Sequence, residues 1–124
     1  MTKSDMRQTI AAMVAPGHGV LAADESTGTI KKRFDAIDVE STEETRRAYR
    51  DLLFSTTGIE QYIGGVILFD ETMRQTDSSG APFPELLASK GIAPGIKVDR
   101  GAKHLPGFEG ETVTEGLDGL RERL

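Results

Sequence analysis

Cysteine is absent from all 124 residues of this chain, and so is tryptophan. Without a thiol the protein has no disulfide, no cysteine nucleophile and no cysteine-ligated zinc. Histidine is nearly absent: only His18 and His104 carry an imidazole, and they lie far apart in the sequence. These absences argue against a metal centre, and we expect neither a metal nor a cofactor.

Two further absences concern partners and location. No basic run offsets the net charge of −5, which argues against general nucleic-acid binding. No apolar run is long enough to cross a membrane. Arg7 and Gln8 interrupt the N-terminal segment, which does not resemble a secretory signal peptide. We therefore expect a cytoplasmic protein that contacts neither nucleic acid nor membrane.

The most informative stretch that is present covers residues 19–28. Its apolar start, GVLAA, is typical of a strand buried on both faces, and Asp24, Glu25, Ser26 and Thr27 follow at once. A carboxylate at the end of such a strand, beside the hydroxyls and free N–H groups of a helix start, predicts a site for an anion such as phosphate. The alternative is that Asp24 or Ser26 only caps the next helix. This stretch alone does not decide between them.

Two later segments repeat the pattern of an apolar strand that ends in acid. Residues 64–69 precede Asp70, and a third strand is predicted over 92–99. Lys97 and Asp99 are two residues apart, so in a strand they point to the same side. Inside a barrel the pair would lie near Asp24 and offset each other's charge. The alternatives are a buried Lys–Asp pair without chemistry, or an edge strand that shows its polar face to water.

Helices are predicted between these strands. Ser4 is a candidate N-cap for a helix over 4–14, and Ser41 and Glu44 form an S-x-x-E capping box. Pro84 suits the first turn of a short helix that Gly91 ends. A last helix is predicted from the capping box of Thr112 and Glu115, with an apolar stripe at Leu117, Leu120 and Leu124.

Alternating strands and helices predict an α/β protein with a parallel sheet. The length fits a single domain without an internal boundary. A doubly wound sheet of the flavodoxin-like type is one alternative. We favour the first three β/α units of a TIM (β/α)8 barrel, incomplete in this chain, because a whole barrel needs about 250 residues.

The motifs themselves resemble a known family. Residues 21–28 (LAADESTG), 64–69 (GGVILF), 95–99 (GIKVD) and 116–120 (GLDGL) are similar in order and spacing to class I fructose-bisphosphate aldolase. The resemblance implies a metal-independent enzyme of glycolysis. It would cleave fructose 1,6-bisphosphate to dihydroxyacetone phosphate and glyceraldehyde 3-phosphate through a lysine Schiff base. It also implies a homo-oligomer, a tetramer, of the full-length enzyme.

Carried over to this sequence, the resemblance implies catalytic roles for Asp24 and Lys97. It implies that Lys97 contacts substrate without forming the imine. Substrate-binding roles follow for Ser26, Thr29, Arg33, Arg46 and Asp99, the two arginines and the hydroxyls meeting phosphate groups. For Arg46 a solvated helix face is the favoured alternative.

The Schiff-base lysine and the acid/base glutamate of the family have no counterpart here and are expected beyond residue 124. The chain is then the N-terminal part of a single barrel domain and inactive alone. The alternative function is a non-catalytic fragment that binds phosphosugars or forms oligomers.

Overall fold

A computed structural model describes residues 3–124, with side chains from residue 5 onward. Short 3₁₀ turns at Ile59–Gln61 and Thr72–Arg74 flank the second strand. The helices and strands are α1 Lys3–Met13, β1 Gly19–Ala23, α2 Thr27–Asp35, α3 Glu43–Phe54, β2 Ile63–Leu68, α4 Phe83–Ser89, β3 Ala93–Ile96, β4 Ala102–His104, β5 Thr112–Thr114 and α5 Leu120–Arg123.

The first three strands form one parallel sheet in the order β1-β2-β3, as the sequence predicts. The central strand β2 pairs with both neighbours, for example Val66 with Leu21 and with Pro94. Val66 and Leu68 on one face of β2 and Gly65 on the other are buried, and Ile67 is partly buried, in keeping with a strand covered on both faces. Within residues 3–124 the sheet does not close into a barrel. No helix in this range is long and apolar enough to cross a membrane.

The main core lies between the sheet and the helices α3 and α4. Phe54 and Phe83 meet edge to face with ring centroids 5.2 Å apart, and neither side chain is exposed. Such a pair stabilises the packing beyond the area that it buries. The other buried members of this cluster are Ala23, Val66, Leu68, Leu87 and Ile92.

Two predicted helix starts differ from the structure. Helix α1 begins at Lys3, so Ser4 lies in its first turn and is not the N-cap. The capping box of α3 is formed by Thr42 and Thr45, and not by Ser41 and Glu44. The Thr42 hydroxyl accepts the Thr45 N–H at 3.1 Å, and the Thr45 hydroxyl accepts the Thr42 N–H at 2.9 Å. The helix begins one residue later than predicted, so the reciprocal hydrogen bonds of the capping box are made by the two threonine hydroxyls.

The C-terminal third also differs from the prediction. Thr112 begins strand β5, which pairs antiparallel with β4, and no helix starts there. The run of threonine and valine at 112–114 favours a strand. Helix α5 begins only at Leu120, which leaves Leu117 exposed ahead of it. Strand β3 ends at Ile96, and Asp99 accepts the Gly101 N–H at 3.0 Å in the turn that follows.

Helix α1 packs against β2 at a point where only glycine fits. A Cβ added at Gly64 would lie 2.5 Å from the carbonyl oxygen of Met13, whereas a Cβ at Gly19 would meet nothing within 4 Å. We expect Gly64→Ala to lower the free energy of unfolding by about 2 kcal/mol, because backbone must move apart. Gly19→Ala, also in a strand, is the control. Denaturant unfolding followed by circular dichroism measures both, and equal midpoints would contradict this account.

Candidate functional site

The carboxyl ends of β1, β2 and β3 open into one cavity of about 720 Å³. This is the end of a parallel sheet at which β/α proteins place their ligands. The cavity is lined by Asp24, Glu25, Ser26, Thr29, Phe69, Asp70, Lys97, Asp99, Arg100, Gly101 and Arg123. Five of the seven site residues predicted from sequence are among them; Arg33 and Arg46 are not.

Lys97 lies between two carboxylates in this cavity. Its Nζ is 2.6 Å from Oδ1 of Asp99 and 3.3 Å from Oδ2 of Asp24. Asp24 arrives from the end of β1 and Lys97 from the end of β3, so the sheet brings together residues 73 positions apart. The side chains of Lys97 and Asp24 are about three-quarters buried, whereas that of Asp99 is 36% exposed, so the cluster is partly shielded from water and reachable from the cavity.

This geometry fixes the charges of the cluster. Hydrogen bonds from Lys97 to Asp99 and then to Asp24 raise the pKa of Lys97 above its ordinary value. The same lysine lowers the pKa of Asp99, as does the Gly101 N–H. Lys97 therefore keeps its proton until the pH rises through that raised value. Asp99 keeps its charge until the pH falls through its lowered value. At neutral pH both groups are ionised.

Ser26 and Thr29 stand at the start of α2 on the same cavity. Ser26 is the N-cap of this helix: its hydroxyl accepts the Thr29 N–H at 3.4 Å and lies 3.2 Å from the Thr29 hydroxyl. Capping and ligand binding do not exclude each other at this position, because Ser26, the capping residue, and Thr29 both line the cavity.

Arg33 lies one turn further along α2 and faces Glu25. Its guanidinium pairs with the Glu25 carboxylate and donates to the Tyr49 hydroxyl at 3.4 Å. Glu25 raises the pKa of Arg33, which is about half exposed. Glu25 is thus the ion-pair partner of the arginine that was predicted to bind phosphate.

Arg46 was predicted either to contact phosphate or to lie on a solvated helix face, and in the structure it forms an ion pair with Glu71. It donates two parallel hydrogen bonds to the Glu71 carboxylate, at 2.8 and 2.7 Å, and a further one to the Ser41 carbonyl oxygen at 3.2 Å. Its side chain is only 14% exposed, which does not fit a solvated helix face. Arg46 here links α3 to the segment after β2, and a phosphate contact for it stays a prediction.

Sequence reasoning missed two cationic residues of the cavity. Arg100 directly follows Asp99 in the sequence, and this position next to a predicted site residue could have indicated that it lines the cavity. Arg123 could not be found this way, because it comes from α5. Its guanidinium donates to the carbonyl oxygens of Val98 at 2.8 Å and Lys97 at 3.4 Å. Only the return of α5 onto the end of β3 brings these groups together.

Parallel β/α units with a cavity at the carboxyl ends of their strands are typical of ligand-binding α/β proteins, (β/α)-barrels among them. The model of the family fructose-bisphosphate aldolase class-I matches residues 5–124. A probable fructose-bisphosphate aldolase class 1 of Xanthomonas campestris is 57% identical over the whole chain. Fructose-bisphosphate aldolase 6, cytosolic, of Arabidopsis thaliana is 57% identical over 108 residues, 87% of this chain and 30% of that protein.

A solved structure agrees with these matches. The fructose-bisphosphate aldolase of Plasmodium falciparum superposes with a TM-score of 0.91 at 51% identity, over 97% of this chain and 35% of that one. The chain therefore belongs to the class I fructose-bisphosphate aldolase family, and its parallel strands β1 to β3 correspond to part of a TIM barrel, which is not closed within the described residues. Both the resemblance and the fold class predicted from sequence are confirmed. The chain spans 37% of the length of the Xanthomonas relative.

Proposed function

We propose that this chain supplies the N-terminal, substrate-contacting part of a class I aldolase. The enzyme would cleave fructose 1,6-bisphosphate to dihydroxyacetone phosphate and glyceraldehyde 3-phosphate in glycolysis. The observation that carries the proposal is the cluster of Asp24, Lys97 and Asp99 at the carboxyl ends of the strands, in a chain of this family.

In this proposal Asp24, Lys97 and Asp99 act on the part of the substrate where the carbon–carbon bond is cleaved. Lys97 donates hydrogen bonds to substrate hydroxyls, and Asp99 holds its ammonium group in place at 2.6 Å. Asp24 orients the substrate and supports the proton transfers of carbon–carbon bond cleavage, as a carboxylate in hydrogen-bond reach of a hydroxyl can do. Ionised Lys97 thus serves the reaction without forming a covalent bond.

Phosphate groups would be held around this cluster. Ser26 and Thr29 offer hydroxyls beside the N–H groups of α2, and Arg33 offers a guanidinium that can take two phosphate oxygens. Arg46 is retained as a further phosphate contact, which would require it to leave Glu71.

A Schiff base requires a neutral amine as nucleophile. Lys97 does not supply one at neutral pH, because the two carboxylates keep it protonated. We therefore propose that the imine lysine and the acid/base glutamate belong to a segment outside these 124 residues, and that the chain is part of a single barrel domain. A cytoplasmic location, suggested by the cytosolic Arabidopsis relative, and a tetramer of the full-length enzyme complete the proposal.

A chimera tests this function. The 124 residues replace the matching segment of the Xanthomonas relative, and cleavage of fructose 1,6-bisphosphate is followed in a coupled assay. We expect kcat/KM within about tenfold of the unmodified relative, since the contacts of the cavity are retained. The 124-residue chain alone, expected to be inactive, is the control. A folded chimera without cleavage would instead support the alternative, a non-catalytic fragment that binds phosphosugars or forms oligomers.

A further inference from the structure

Glu25 lies between two arginines at the edge of the cavity. One oxygen of its carboxylate pairs with Arg33 of α2, and the other, Oε2, is 3.3 Å from Nη2 of Arg50 on α3. The same Nη2 donates to the backbone carbonyl oxygen of Glu25 at 3.0 Å. The carboxylate is 15% exposed and borders the cavity. Glu25 thus connects an accessible cation with a buried one.

Arg50 is the buried cation, and its hydrogen bonding is incomplete. Its side chain is only 3% exposed, and its Nε and Nη1 have no hydrogen-bond partner among the described residues. Glu25 Oε2 is likewise buried without a hydrogen bond, although it lies in ion-pair range of Arg50. Unmet donors and acceptors at such depth are costly. The unmet groups thus belong to the two partners of one ion pair, in which Nη2 and Oε2 are 3.3 Å apart.

We propose that Glu25 is a displaceable internal ligand of Arg33. A phosphate group takes the place of the Glu25 carboxylate on Arg33, and the carboxylate moves onto the unpaired donors of Arg50. The proposal rests on the proposed function, in which Arg33 binds a phosphate of the substrate. Arg33 is 54% exposed, so an incoming anion can reach its guanidinium while Glu25 is still bound.

Replacement of the Glu25 carboxylate on Arg33 by an incoming anion favours ligands that carry a double negative charge. A phosphate dianion with three oxygens competes well for a guanidinium, whereas a single carboxylate on the ligand only matches what Glu25 already offers. Moving Glu25 to Arg50 also takes a negative charge away from the bound phosphate, and this lowers the repulsion between them. Glu25 is therefore a specificity-determining residue for doubly charged phosphate groups, and Arg50 positions it.

The test is a titration of the complete 124-residue chain with inorganic phosphate, followed by NMR at the Nε–H of Arg33. We expect Glu25→Gln to tighten phosphate binding about threefold, the size of a partly exposed ion pair that no longer competes. Asp70→Asn is the matched control, because it removes the same charge from the same cavity. The Asp70 carboxylate pairs with Arg74, not with Arg33. Equal effects of the two variants would overturn the proposal.

A second pair of variants tests the role of Arg50. Arg50→Lys keeps the buried charge but removes the guanidinium N–H donors to which the displaced Glu25 carboxylate would hydrogen-bond. Phosphate binding should therefore weaken. In the Glu25→Gln background the same change has no effect, because there is no carboxylate left to receive. Additive effects of the two substitutions would overturn the exchange. An Arg33→Ala chain that binds phosphate as tightly as the unmodified chain would overturn the role of Arg33 itself, and with it this part of the proposed function.

Discussion

Replacing Asp24 with asparagine in the chimera is expected to lower kcat by about a hundredfold while KM changes by less than about threefold. Asparagine has the same shape but carries no charge and accepts no proton. It can still accept a hydrogen bond from Lys97, now 3.3 Å from the carboxylate oxygen. Binding of the substrate should therefore persist while the proton transfers of bond cleavage are lost. Steady-state kinetics with fructose 1,6-bisphosphate separates the two constants.

Asp70→Asn is the control for this prediction. Asp70 follows β2 as Asp24 follows β1, and both border the cavity, but the Asp70 carboxylate pairs with Arg74 at 3.1 Å. We expect this variant to keep kcat within about threefold, because it does not contact Lys97. A large rise in KM with kcat unchanged for Asp24→Asn would assign Asp24 to substrate binding alone.

Local patterns in the sequence sufficed to predict the sheet. The segment 64–69 is largely buried, as its apolar pattern predicts. The run 19–23 also forms a strand, but only Ala23 in it is buried and Val20 is 43% exposed, because β1 lies at the edge of the sheet. The proximity of Lys97 and Asp99 was predicted from their two-residue spacing in a strand over 92–99; β3 ends at Ile96, and the pair forms in the segment directly after it. Their meeting with Asp24 then follows, because parallel strands end at the same edge.

The parts that could not be predicted depend on contacts between distant segments. The hairpin of β4 and β5 pairs residues eight to twelve positions apart, whereas the spacing of Thr112 and Glu115 predicted the start of a helix at the same place. Arg123 contributes only after α5 has returned to the end of β3. The pairing of Arg33 with Glu25 was missed for another reason: a motif shows which charges are near, but not which of them pair.

The central claim is that this chain binds the substrate while another segment supplies the imine lysine. Borohydride reduction of the chimera during turnover of fructose 1,6-bisphosphate tests it, with the adduct located by peptide mass spectrometry. An imine forms on a neutral amine, and Lys97 is kept protonated by Asp99 and Asp24. The 124-residue chain treated in the same way is the control.

We expect about one adduct per chimera, on a lysine of the Xanthomonas segment, and none on the 124-residue chain alone. An adduct on Lys97 in either protein would contradict the division between a substrate-binding lysine and an imine-forming lysine.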